Sequence, residues 1–227
     1  MGKLISIVML LLMTSWSYAN DIYVTQSGAS LDLDITQDGQ NNTVGNSTTS
    51  SASTGASTNL NIDQVGNSNV ITYQINGATY TGVINLVGNS NNVDLNCDST
   101  GNNSSCGTAN AVINFTGNSN DIDLDIGQTS SANTADVDIV GQSGSDSNVV
   151  AATVDGNSAI LTITINGDTN NYLIDIDGNG DVNGHTLIHS HTGGTADVDI
   201  VQSGINDQYI NLTTSGDNHD IDIQQTD

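Results

Sequence analysis

The chain of 227 residues carries 24 Gly and no Pro, and 25 acidic residues against a single Lys or Arg, for a formal charge of -24. Every acid is Asp and the one base is Lys3, so a nucleic-acid backbone or an anionic bilayer surface would be repelled, and phosphate-clamping chemistry built on Lys or Arg is excluded. With 11% charged and 35% apolar residues, the chain fits neither a charge-rich disordered polymer nor a well-filled ordinary globule.

Lys3 is followed by the apolar run Leu4 to Met13 and by the small-residue site Ser17-Tyr18-Ala19. That order predicts a secretory signal peptide over residues 1–19. The run is shorter than the roughly 20 apolar residues that an anchor needs, so the expected mature domain, 20–227, is exported and has no membrane span after cleavage. Cys97 and Cys106 enclose the turn-rich stretch Asp98 to Ser105. An oxidising compartment favours a disulfide between them, with two unpaired thiols as the alternative. A catalytic thiol is disfavoured, since no histidine lies nearby in sequence and no CxxC spacing is present.

Glycines then recur at steps of 11, from Gly28 to Gly39, through Gly66, Gly77 and Gly88, and through Gly156, Gly167 and Gly178. Between them the chain alternates strictly, as in Leu31-Asp32-Leu33-Asp34-Ile35 and Leu161-Thr162-Ile163-Thr164-Ile165. Period 2 between Gly/Asn turns predicts short strands, and their recurrence over the whole mature chain predicts an all-β solenoid of stacked two-stranded coils. Two 11-residue halves make a coil of about 22 residues, and roughly eight coils at about 4.8 Å per strand give a rod near 38 Å tall. Wider gaps hold Ser/Thr/Asn/Gly-rich loops at 45–58, 98–108, 127–134 and 189–195. Thr134 to Val140 and Thr195 to Val201 nearly repeat, which indicates duplication.

Parity assigns the faces. Ile71, Tyr73 and Ile75, then Ile122, Leu124 and Ile126, then Tyr172, Ile174 and Ile176 point inward. Amides of the same parity at the turns make an inward ladder: Gln26, Gln37, Asn42, Gln64, Asn69, Asn91, Asn120, Gln142, Asn170 and Gln202. Stacked amides donate to one neighbour and accept from the other, which answers the cost of burying them. After Gly144 and Gly204 the apolar positions shift by one, and bulges are expected there.

Asp takes the outward parity at Asp32, Asp34, Asp121, Asp123, Asp125, Asp220 and Asp222. The bland reading is a solubilising face that discourages edge pairing, its repulsion screened by salt. The sharper one is divalent cation binding, which makes Ca2+ the one cofactor considered. Asp175, Asp177, Asn179 and Asp181 match the opening of a calcium loop, but Thr186 stands where the bidentate Glu belongs. His185, His189 and His191 are of a type that coordinates transition metals; polar surface histidines in an insertion are the favoured reading.

The cycle Gln-x-Gly-x-x-Asn-x-(apolar), clearest in Gln37 to Val44 and Gln64 to Ile71, resembles the curlin repeat. Gln26-Ser27-Gly28 and Gln202-Ser203-Gly204 carry its first half, and Gly88 to Asn91 and Gly117 to Asn120 carry it without the Gln. The resemblance implies a secreted bacterial amyloid-fibre subunit of two-stranded coils, used in adhesion and biofilm matrix. It also implies that Gln37, Asn42, Gln64 and Asn69 form ladders. The sequence departs from the family pattern in its Val or Ile at the family's Ala position, its long loops and its Asp-rich outer face.

Three functions are weighed. The leading one is a structural fibre subunit joining copies of itself end to end through residues 22–26 and 220–224, with Gln224 continuing the ladder, since an uncapped solenoid edge invites strand addition. Its further partners would be a dedicated secretion or nucleation system and a surface receptor or matrix. The second is a monomeric adhesin or binder, calcium-dependent or surface-binding; ice binding would need regular outward Thr rows, and only Thr162 and Thr164 make a clear pair. Enzymatic action comes last, because paired outward Asp on a repeated face without a pocket makes a poor acid/base site.

Overall fold

The computed structural model describes residues 20–226 except 40, 46–50, 67, 89, 98–106, 127–133, 143, 145, 157, 178–184 and 205–207. The expected leader, 1–19, lies outside the described residues. Alternation between Gly/Asn turns becomes strands throughout. In chain order these are β1 (Asn20–Asp21), β2 (Thr25–Ser27), β3 (Ser30–Asp38), β4 (Asn42–Thr43), β5 (Ser51–Val65), β6 (Val70–Val87), β7 (Asn92–Cys97), β8 (Thr108–Thr116) and β9 (Asp121–Ile126). They continue as β10 (Thr134–Gly141), β11 (Asn148–Asp155), β12 (Ser158–Asn166), β13 (Asn170–Asp177), β14 (Thr186–Thr192), β15 (Ala196–Ser203), β16 (Tyr209–Ser215) and β17 (His219–Thr226).

Every pairing is parallel and joins a strand to its counterpart one coil later, which is the pattern of a β-solenoid. One face stacks β7, β9, β11, β13, β15 and β17. The opposite face stacks β8, β10, β12, β14 and β16. β5 and β6 are long enough to contribute to both faces, and β3 joins the second face through β5. Stacked partners are 22 residues apart where no long loop intervenes and up to 29 apart where one does. Among the described residues no helix is long and apolar enough to cross a membrane.

The core is a thin slab between the faces. Ile71, Tyr73 and Ile75 face it from β6, Ile122, Leu124 and Ile126 from β9, and Leu161, Ile163 and Ile165 from β12, all buried as parity requires. Burying each such aliphatic side chain contributes about 1.5–3 kcal/mol. The large ring of Tyr80 fits because the next inward position of its own strand is a glycine. Gly82 follows Tyr80 by one inward position, and a Cβ there would lie 2.7 Å from the tyrosine hydroxyl.

Turns leading into the first face share a left-handed residue directly before the first inward side chain: Ser119 (φ 59°) before Asn120, Ser147 (φ 56°) before Asn148 and Thr169 (φ 60°) before Asn170. Short polar residues tolerate that conformation best.

Three expectations need correction. Among the described residues no bulge interrupts the strands that follow Gly144 and Gly204. The pairing of β11 with β13 runs unbroken from Asn148↔Asn170 to Asp155↔Asp177, and that of β14 with β16 from Thr186↔Tyr209 to Thr192↔Ser215. Residues 51–58 of the first expected loop belong to β5, and 189–192 of the last belong to β14. The histidines are not on the surface: His185, His189 and His191 are 2%, 1% and 0% exposed, because the inward parity of Leu187 extends to them. Among the described residues no cysteine is free, and Cys97 is disulfide-bonded. Cys97 is the last residue of β7, buried in the core and stacked on Ile126, while Cys106 lies outside the described residues.

Candidate functional site

The first inward column of the first face is an asparagine ladder. Asn91 Nδ2 donates to Asn120 Oδ1, Asn120 Nδ2 to Asn148 Oδ1, and Asn148 Nδ2 to Asn170 Oδ1, each at 2.6 Å. Asn42 and Asn69 occupy the same column and are fully buried, each donating to the carbonyl of the Gln five residues earlier, Gln37 and Gln64. Asn120 and Asn170 also donate to the carbonyl of the glycine three residues before them. Asn120 and Asn170 thus tie their own turn and a neighbouring coil together, and this bonding offsets the desolvation of a buried amide.

Asn148 is a rung that sequence reasoning missed. It lies four positions after Gly144 where its fellows lie three positions after their glycine. The Ser-Asn pair that it shares with Asn91 and Asn120 was the available signal.

Glutamine rungs occur only toward the two ends. Gln64 Nε2 donates to Gln37 Oε1 at 2.6 Å, and Gln225 Nε2 to Gln202 Oε1 at 2.9 Å. The two pairs stand in different columns: that of Gln37 and Gln64, on the second face, passes on to Leu86, Phe115, Gly141 and Ile165, whereas Gln202 and Gln225 continue the first-face column of Ile176. Gln26 is partly buried, in register with Ser53, and donates to Ser30 O at 3.2 Å. Two expectations are corrected here. Gln142 is exposed, one position beyond the inward Gly141, and accepts from Thr116 Oγ1 at 3.3 Å. Gln224 faces outward in register with Val201, so the ladder continues through Gln225.

Outward Asp meets Asn of the neighbouring coil on both faces, with Asn92 donating to Asp121 and Asn96 to Asp125 at 3.3 Å on the first, but among the described residues only the first face also stacks Asp on Asp. On the second face Asp alternates with Asn up the stack: Asn59 donates to Asp32 and Asn61 to Asp34 at 2.8 Å, and Asn85 to Asp63 at 2.6 Å. On the first face Asp94 stacks on Asp123, Asp197 on Asp220 and Asp199 on Asp222. Partial burial, then the Asp125 carboxylate, raises the pKa of Asp94. The same causes raise that of Asp123, with Asp94 and Asp121 adding to the effect.

The calcium-loop residues are not gathered among the described residues. Asp175 is outward on β13, its pKa raised by desolvation and by Asp177. Asp177 Oδ1 accepts from Ser203 Oγ at 2.6 Å. Asn179 and Asp181 lie outside the described residues. No group of three or more His, Cys, Asp or Glu among the described residues has a geometry for holding a metal ion.

At the end of the stack, β17 pairs with β15 on one side. Its inward-parity residues Ile221 and Ile223 remain 37% and 47% exposed, whereas Val198 and Ile200, one coil earlier, are buried.

Fold and site together define a parallel β-solenoid with an amide-laddered core, a fold used by self-associating fibrous and adhesin proteins. Comparison with protein-family models, with curated proteins and with solved structures found no match.

Proposed function

We propose that the chain is a secreted, non-enzymatic structural subunit that stacks end to end into an extracellular curli-like fibre, serving surface adhesion or biofilm matrix. The carrying observation is the open rung at β17: Ile221 and Ile223 keep core parity without core burial, and Gln225 extends the glutamine column beyond Gln202. An incoming strand would gain main-chain pairing and cover both isoleucines. The curlin-like Gln-x-Gly-x-x-Asn cycle supports the same reading, as does the leader-like segment 1–19, which supports export.

The test is assembly of purified residues 20–227, with and without calcium, followed by electron microscopy and fibre diffraction. Unbranched fibres with a 4.7–4.8 Å meridional repeat are expected. A stable monomer in both conditions would overturn the reading.

A further inference from the structure

The alternation that buries Leu187 in β14 also turns His189 and His191 into the core. His189 stands in register between Ile163 of β12 and Leu212 of β16, and His191 between Ile165 and Thr214. Across the slab, Tyr172 of β13 meets His189 edge to face at 4.4 Å between ring centroids and His191 at 5.8 Å. On its other side His191 meets His219 of β17, also edge to face, at 5.3 Å. Ala196 is the rung between Asn170 and His219 in that column, and its single methyl leaves room for the His191 ring to reach β17.

Asn170 fixes the state of His191. Its Nδ2 is 3.3 Å from His191 Nδ1, and an amide nitrogen can only donate, so Nδ1 is assigned as an acceptor and the proton sits on Nε2. The Tyr172 hydroxyl, 3.0 Å from the same Nδ1, can donate to it as well. His191 is therefore the last acceptor of the ladder that runs from Asn91 through Asn120, Asn148 and Asn170.

We propose that His189 and His191, the latter packed against His219, form an acid-operated lock on the last coil: neutral, the two close the core between β13 and β17, and protonated, they release β16 and β17 from β14 and β15.

A proton on His191 Nδ1 places a donor against the Asn170 donor and breaks the top rung. No inward carboxylate compensates. Asp168, in the turn before β13, is engaged by the Gly194 N–H. Asp175, Asp177, Asp197, Asp199, Asp220 and Asp222 stand on the outward parity of β13, β15 and β17, and Asp217 is exposed in the turn before His219. β12 and β16 turn no ionisable side chain inward. The ring nitrogens of His189 and His219 and Nε2 of His191 make no hydrogen bond, so nothing else holds an added charge.

Desolvation by burial, then the neighbouring His191, pushes His189 down to about 4. Burial and His219 lower His191, with Asp168 opposing them. Folded values below the unfolded one mean that the stabilisation is complete above the unfolded value and drains away as pH falls toward the folded value. For His189 alone, an unfolded value near 6.5 and a folded value near 4 give a roughly thirtyfold rise in the opening equilibrium at pH 5.

Hydrogen–deuterium exchange of the full chain at about pH 7.5 and pH 5, corrected for intrinsic rates, tests the lock. Peptides from β14 to β17 should open at least tenfold more at the lower pH, while those from β6 to β9 should not. His189→Leu and His191→Asn should each diminish that difference, the latter keeping an acceptor for Asn170. Equal exchange of β14 to β17 at both pH values, or an undiminished acid response in both variants, would overturn the proposal. If neither variant folds, the imidazole titration of His189 in the unaltered chain decides: a midpoint below about 6 supports the lock, and one at or above it refutes the lock.

Discussion

Asn120 donates from Nδ2 to Asn148 Oδ1 at 2.6 Å across coils whose turns differ in length by two residues, since Phe115 to Asn120 spans five positions and Gly141 to Asn148, in register with them, spans seven. The ladder thus keeps its geometry while the turn absorbs the insertion. Asn148→Ala removes the acceptor for Asn120 and one of the donors to Asn170 Oδ1, leaving buried polar groups without those partners. A loss of about 1–3 kcal/mol is expected, read as a lower urea midpoint.

Gly141 stands in register with Phe115, and a Cβ there would lie 2.7 Å from the ring Cζ and 2.8 Å from Cε2. Gly141→Ala should therefore cost about 1–3 kcal/mol through overpacking. Adding Phe115→Leu should recover part of that loss, and a double-mutant cycle in denaturant checks the coupling.

The stacked carboxylates give a signed pH effect. Asp94 and Asp123 have folded pKa values above their unfolded ones, so their contribution favours folding at low pH and is lost as pH rises through the folded values. Asp123→Asn should raise the melting temperature at pH 7 and change it little near pH 3. Added salt at pH 7 should narrow the gap between the two proteins.

Proline removes a ladder donor. Asp222→Pro in β17 should abolish fibre growth while leaving the far-ultraviolet strand signal largely intact, whereas a proline introduced between residues 98 and 105 should permit growth. Electron microscopy paired with circular dichroism separates these outcomes.

Coil architecture was legible in the sequence because one rule, period 2 between glycines, governs β6, β9, β12 and β13 alike. It places Ile71, Leu124 and Ile174 in the core, where all three are buried. The same rule failed where counting began from the glycine instead of from the strand. Asn148 was passed over and Gln142 was admitted because a longer turn changes the offset without changing the parity inside β11. The histidines were misread for a different reason: a polar run, His-Ser-His, carries no apolar alternation, and only its register with Leu187 shows that it faces inward. The outer face was legible as acidic, but not the division of labour on it, since the Asn59–Asp32 and Asn61–Asp34 pairs depend on which coil lies above which.

The described strands pass the face of β17 once more than the face of β16, so the stack ends on half a coil. In the proposed fibre, a second copy that continues both faces would enter rotated by about 180° around the rod axis, its β1 and β2 lying over β16 and its β3 over β17. The resulting filament would have a two-subunit screw repeat, with chemically different flanks alternating along each side. The junction would set Asp32 and Asp34 of one copy beside Asp220 and Asp222 of the next, making subunit addition the step of growth most sensitive to ionic strength.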